Sequence, residues 1–134
     1  MLLAGCVSPA VNSDGYRGKV HQSAKKTAGI VAVARLAGQL DLGGKMLHNL
    51  TDNTVTDAEN DADSVLASLD SVQPPDAASV DLRDRADSTL QTASGQLSDL
   101  RIAVRRGDRA AMRSALDDLG RTLADLQRLQ SAAS

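Results

Sequence analysis

Residues 90–108, LQTASGQLSDLRIAVRRGD, decide the fold of this chain. Apolar or small side chains recur there in alternating steps of three and four, at Leu90, Ala93, Leu97, Leu100 and Val104. This spacing places them on one side of an α-helix, which has a period of about 3.6 residues. Gly107 is typical of a residue that ends a helix, and Asp108 is typical of an N-cap. The stretch therefore predicts a long helix, a tight turn and a second helix.

The same spacing continues to both sides of this stretch. It predicts a fourth helix with an apolar side formed by Met112, Leu116, Leu119, Leu123, Leu126 and Leu129. The third helix is expected to begin between Asp76 and Ser79. A second helix is expected from Thr54 or Thr56 to just before Pro74-Pro75, with a core side formed by Ala58, Ala62, Val65, Leu69 and Val72.

A first helix is predicted from Ser13 or Asp14, as N-cap, to about Leu50. Glycine weakens a helix interior, so we expect a kink or a break at Gly43-Gly44. Its core side is predicted to be formed by Val20, Ala24, Thr27, Ile30, Val31, Ala34, Ala37, Leu40, Gly44 and Leu47.

These elements predict an all-α fold. The chain has 134 residues, of which 42% are hydrophobic, with one Tyr and neither Phe nor Trp. Leu and Ala favour helices, whereas strands favour aromatic residues. Short connections predict an antiparallel up-down-up-down four-helix bundle over residues 14–131, with a long first helix that kinks or breaks at Gly43-Gly44. Coiled-coil assembly between chains is the alternative, and short connections disfavour it.

The amino terminus carries a different signal. Leu3-Ala4-Gly5-Cys6 resembles the lipobox of bacterial lipoproteins, in which small residues precede the cysteine that becomes the mature amino terminus. Cys6 is the only cysteine, and Val7 to Ser13 predict a flexible tether, so that residues 6–13 form the tether. Because a signal peptide needs about 7–15 apolar residues, we expect residues 1–5 to be the remnant of a longer one. The alternative is a cytosolic protein with a free thiol.

The resemblance implies a location and a partner. It implies acyl chains on Cys6 that hold the protein to the cell membrane on its extracytoplasmic side, where two or three chains suffice for anchoring. An envelope protein or the cell wall would then be the further partner. The net charge of −2 does not indicate nucleic-acid binding.

The acidic run of helix two gives the metal candidates. Asp57, Glu59, Asp61 and Asp63 alternate as in a calcium loop, but Ala62 stands where that loop needs glycine. Alternate helical residues point about 200° apart, so the four carboxylates are not expected to converge. We predict no metal and no cofactor, with Asp57 and Asp61 as the candidates if an ion binds.

Catalysis is not predicted. His21 and His48 are the only histidines, and 27 residues of continuous helix would separate them by about 40 Å. We expect both to face solvent and expect no catalytic residues. The chain is therefore predicted to be a non-enzymatic interaction or structural module of the cell envelope, and the alternative is an extracytoplasmic bundle that binds a small ligand or an ion.

Basic side chains are densest at the junction of helices three and four. Arg105, Arg106, Arg109 and Arg113 form this cluster. It is a candidate surface for anionic lipid headgroups or wall polymers. The alternative is a solvated helix junction with no binding role.

Overall fold

The structure, a computed structural model, describes residues 12–134. Within that range it contains four helices and no strand: α1 (Ser13–Leu42), α2 (His48–Asp70), α3 (Ala77–Arg106) and α4 (Arg109–Ala132). The predicted all-α class is confirmed.

The four helices form a bundle around one core. Helix α1 packs against each of the other three, α3 packs against α2 and α4, and the backbones of α2 and α4 do not approach each other closely. The core is aliphatic apart from Tyr16, and its largest fully buried members are Tyr16, Leu90, Leu97, Leu100, Met112, Leu119 and Leu126. Each predicted core residue of α3 is buried, as are those of α4 except the half-buried Leu123.

The starts of α3 and α4 agree with the sequence prediction, and an aspartate caps each helix. The Asp76 carboxylate accepts from the Ser79 amide at 2.8 Å and begins α3. The Asp108 carboxylate accepts from the Ala111 amide at 3.0 Å and begins α4. Between α3 and α4, Gly107 adopts a φ of 62°, which costs glycine little because it has no Cβ.

The boundary between α1 and α2 differs from the prediction. Helix α1 ends at Leu42, and beyond it Gly44 has a φ of 70° and the Lys45 amide donates to the Leu40 carbonyl at 2.8 Å. Helix α2 then begins at His48, so the predictions that the first helix reaches Leu50 and that the second starts at Thr54 or Thr56 are wrong. The spacing misled because Leu47 and Leu50 continue the apolar pattern, whereas Leu47 is 73% exposed.

The start of α1 holds a further difference. Asn12, rather than Ser13 or Asp14, is the N-cap, and its side-chain oxygen accepts from the Gly15 amide at 2.8 Å. Tyr16, which the apolar spacing did not include, is fully buried one turn later. Burial raises the pKa of its hydroxyl, which has no hydrogen-bond partner within the described residues.

Candidate interaction face between α1 and α2

The acidic side chains of the run in α2 lie beside two different helices, α1 and α3. Glu59 pairs with Arg101 of α3, with its Oε2 2.5 Å from the arginine Nε, and Asp63 accepts from the Ser94 hydroxyl of α3. Asp57 and Asp61 instead line a groove between α1 and α2. The predicted divergence of alternate carboxylates is therefore present, and the two candidates lie on the α1 side.

The groove runs along both helices. One hollow of about 510 Å³ is lined from α1 by Lys25 and Lys26 and from α2 by Ser64 and Ser68. A second of about 520 Å³ continues from Lys26 and Gly29 past Val33 to Thr54, Asp57 and Asp61. Most lining side chains are exposed, so the two hollows form one open groove along the bundle rather than an enclosed cavity.

Apolar side chains collect at one end of this groove. The described residues include five exposed large apolar side chains. Val33 (57% exposed) lines the groove, and Leu36 (56%), Leu47 (73%) and Leu50 (50%) lie close to the α1–α2 connection along the chain. Leu36 follows Val33 by one helical turn on α1, and Leu50 precedes the groove residue Thr54 by one turn on α2. Adjacent exposed apolar side chains of this kind mark binding surfaces more often than isolated ones do.

Charged side chains border the remainder of the groove. Lys25 and Lys26 stand on the α1 side, and Asp57 and Asp61 stand on the α2 side. All four are exposed, and none takes part in an ion pair among residues 12–134. We define the α1/α2 face as the exposed surface formed by Lys25, Lys26, Val33, Leu36, Leu47, Leu50, Asp57 and Asp61.

The four arginines of the predicted cluster have different partners in the structure. The Arg105 guanidinium donates to the Asp52 carboxylate of α2 at 2.9 Å, and Arg109 donates to the Leu42 carbonyl at the end of α1 at 2.6 Å. Two of the four arginines thus tie helices together. Arg106 and Arg113 are exposed and have no ion pair among the described residues, and Arg109, whose partner is a neutral carbonyl, also lacks an acidic partner there.

The two histidines lie in different parts of the bundle. His21 Nδ1 is 3.0 Å from the Gln130 carbonyl of α4, and the ring is half-buried rather than solvent-facing as predicted. His48 Nδ1 is 3.1 Å from an Asp41 carboxylate oxygen, at the turn between α1 and α2. Within residues 12–134 no group of three or more His, Cys, Asp or Glu side chains is arranged to hold a metal ion.

A pair of carboxylates lies at the end of the α2–α3 contact. Asp70 and Asp87 line a small pocket together with Arg83 and Asp84. Desolvation and the neighbouring Asp87 raise the pKa of Asp70. Arg83 donates two hydrogen bonds to Asp84, and this pairing raises the pKa of Arg83.

Comparison of the chain with protein-family models, curated proteins and solved structures found no match. Among the described residues, none of the helices combines the length and the apolar character needed to cross a membrane. Cys6 and the rest of the predicted lipobox lie outside the described residues.

Sequence reasoning missed the α1/α2 face. It assigned Leu47 to the core and gave no role to Val33 or Leu36. One signal was available, because Val33 and Leu36 fall off the core spacing of α1 while being large and apolar. Apolar side chains that a helix does not use for its own core are candidates for an interface.

Proposed function

We propose that this chain is a cell-envelope lipoprotein whose non-catalytic helical bundle acts as an interaction module through the α1/α2 face. Acyl chains on Cys6 anchor it at the extracytoplasmic side of the membrane. The observation that carries the interaction role is the exposed apolar end of the face, beside lysines and aspartates that have no partner within residues 12–134.

The proposed topology is up-down-up-down, with each helix antiparallel to the next. Contacts between α1 and α4 support it, because the residue numbers rise along α1 while those of their partners fall along α4. The pairs are His21 with Gln130, Arg35 with Leu116, and Leu42 with Arg109. Contacts between α2 and α3 follow the same order, in Asp52 with Arg105 and in Asp63 with Ser94. Connections of a few residues favour the same course.

This topology holds the apolar end of the face away from the tether. Val33 lies 21 residues after Asn12 on the continuous helix α1, and a rise of 1.5 Å per residue separates them by about 30 Å. A lipid anchor at Cys6 would thus attach at the end of the bundle opposite the apolar end of the face, which leaves that end accessible to a protein partner.

The anchor is tested by fractionation of cells that express the chain behind a complete lipoprotein signal peptide. We expect the protein in the membrane fraction, with a mass increase from acyl chains, and we expect Cys6→Ser to abolish that mass increase. A Ser8→Ala variant, two residues further along, is the control and should remain acylated. An unmodified Cys6 thiol in the membrane-bound protein would contradict the anchor.

The interaction role is tested by site-specific photo-crosslinking in intact cells. A photoreactive residue at position 36 is expected to yield crosslinked protein, because Leu36 lies on the face. The same residue in place of Ile102, which is exposed on α3, is the matched control and is expected to yield little. Equal yields at both positions, or none at either, would contradict the proposed face.

A further inference from the structure

We propose that the partner of the α1/α2 face is the same face of a second copy, with the two bundles related by a two-fold axis parallel to the helices. The inference rests on the proposed function for its interaction face but not for the lipid anchor. Three observations support it: the relative heights of the charges along the bundle axis, their signs and the height of the apolar end.

Residues of α1 and α2 that line the same hollow lie at similar positions along the bundle axis, and we call this position their height. Lys26 lines the same hollow as Asp57 and Asp61. Val33 and Thr54 line this hollow together, nearer the α1–α2 connection. Leu36 and Leu50 each lie one turn beyond this last pair, toward the α1–α2 connection. The face therefore has a charged region and an apolar region, each with contributions from α1 and α2 at similar height.

A two-fold axis parallel to the helices leaves each residue at its own height and places α1 of one copy opposite α2 of the other. Lys26 of each copy then meets Asp57 and Asp61 of its partner. Val33 and Leu36 meet Leu47 and Leu50 in the same way. Each contact occurs twice, so opposite charges are paired and the exposed apolar side chains are buried on both copies.

A two-fold axis perpendicular to the helices gives a poorer match. It would place α1 against α1 with the heights reversed, so an axis level with the lysines would set Lys25 and Lys26 against the same lysines, which is destabilising. An axis level with Val33 and Leu36 would bury the apolar side chains but leave the lysines without opposite charges. A perpendicular axis would also direct the two Asn12 residues, and hence the tethers, to opposite ends. The parallel arrangement keeps both tethers at one end, so that two chains anchored in one membrane could pair, and anchoring would raise their effective concentration.

Sedimentation equilibrium of the full chain tests the dimer, with a reducing agent present to prevent a disulfide through Cys6. We expect a reversible monomer–dimer equilibrium. Leu36→Ser should raise the dimer Kd at least about tenfold, because an apolar side chain is lost from both copies. Ile102→Ser, an exposed apolar position outside the face, should leave the Kd unchanged. A monomer at every concentration, or a dimer equally insensitive to both substitutions, would overturn the proposal.

Charge reversal tests whether Lys26 of one copy lies opposite Asp61 of the other, since an axis that sets like charges opposite each other would leave the dimer Kd of each single variant little changed. Lys26→Asp places an aspartate opposite Asp61 of the partner copy. Asp61→Lys places a lysine opposite Lys26 of the partner copy. Each variant alone should therefore dimerise at least about tenfold more weakly. An equimolar mixture of the two variants should recover dimers, because each chain then supplies the charge that the other lacks. Pairing of Lys26 with Asp61 within one chain would not produce this recovery, and mixed variants that stay monomeric would overturn the parallel axis.

The two proposals fail in different ways. If the full chain is monomeric in solution while position 36 still crosslinks to another protein in cells, the second copy is wrong and the interaction face stands. If Leu36→Ser weakens a dimer while the Cys6 thiol is unmodified in cells, the dimer stands and the lipoprotein assignment fails.

Discussion

Two aspartates at either end of the α2–α3 connection have carboxyls in opposite settings. Asp76 accepts from the Ser13 hydroxyl and from Ser79, and these hydrogen bonds hold its pKa below the usual 3.8. Asp70 is partly desolvated and lies beside Asp87, which together raise its pKa above 3.8. The ionised form is thus favoured by folding at Asp76 and disfavoured at Asp70.

Asparagine at each position should therefore change the melting temperature in opposite directions. The lowered pKa of Asp76 means that its stabilising effect is present above pH 3.8 and is lost as pH falls through the folded-state value. The raised pKa of Asp70 means that ionisation destabilises the fold as pH rises from 3.8 to the folded-state value, and the effect is complete above that value. Near neutral pH, Asp76→Asn should lower the Tm and Asp70→Asn should raise it.

Melting followed by circular dichroism from neutral pH to well below pH 3.8 measures both effects. Both differences from the parent chain should shrink as the carboxyls become protonated. Shifts of the same sign at neutral pH would contradict the assignment of the two settings.

Truncation of a core leucine should cost more than truncation of an exposed apolar residue. Leu119 is fully buried, so Leu119→Ala is expected to lower the free energy of unfolding by about 2–5 kcal/mol through lost transfer energy and a cavity. Ile102 is 38% exposed, and Ile102→Ala should cost less than half as much. Urea unfolding of both variants checks the difference, and equal losses would place Leu119 outside the core.

At the scale of elements, the two glycines of α3 and its C-cap have different conformations. Gly107 has a φ of 62°, in a region that is costly for residues with a Cβ. Gly95 lies inside α3, and a Cβ added there would meet no atom within 4 Å. The first glycine ends the helix, whereas the second only weakens it.

Alanine at these two positions is therefore expected to have opposite effects. Gly107→Ala should lower the free energy of unfolding by about 1–2 kcal/mol because of the left-handed backbone. Gly95→Ala should raise it by about 0.5–1 kcal/mol, since alanine restricts the unfolded chain and suits a helix. Chemical denaturation measures both changes, and stabilisation by Gly107→Ala would contradict the observed cap.

The elements also differ in how clearly their ends are marked. Asp76 and Asp108 have carboxylates that cap the following helix, and the predicted starts of α3 and α4 were confirmed. Helix α2 begins after Leu47, which contributes no side-chain cap. Its start could not be found from capping residues, because the local sequence contains no polar N-cap at that position.

At the scale of the molecule, one aliphatic core links all four helices and contains the only tyrosine. A single core predicts a cooperative transition. Urea unfolding observed through Tyr16 fluorescence should therefore coincide with unfolding observed through helical circular dichroism. An earlier change in the tyrosine signal would mean that this end of the bundle opens on its own.

The sequence by itself determined the all-α class, the core sides of α3 and α4, and the turn at Gly107. These follow from local chemistry, namely apolar spacing, side-chain caps and the conformational freedom of glycine. The tertiary structure decided which neighbour each remaining side chain meets. In the folded chain Glu59 pairs with a residue of α3, whereas Asp57 lines the groove. Arg105 and Arg109 form contacts between helices. Val33 and Leu36 remain exposed. Those outcomes depend on how the helices are rotated and arranged in space, which the spacing of residues along one helix does not specify.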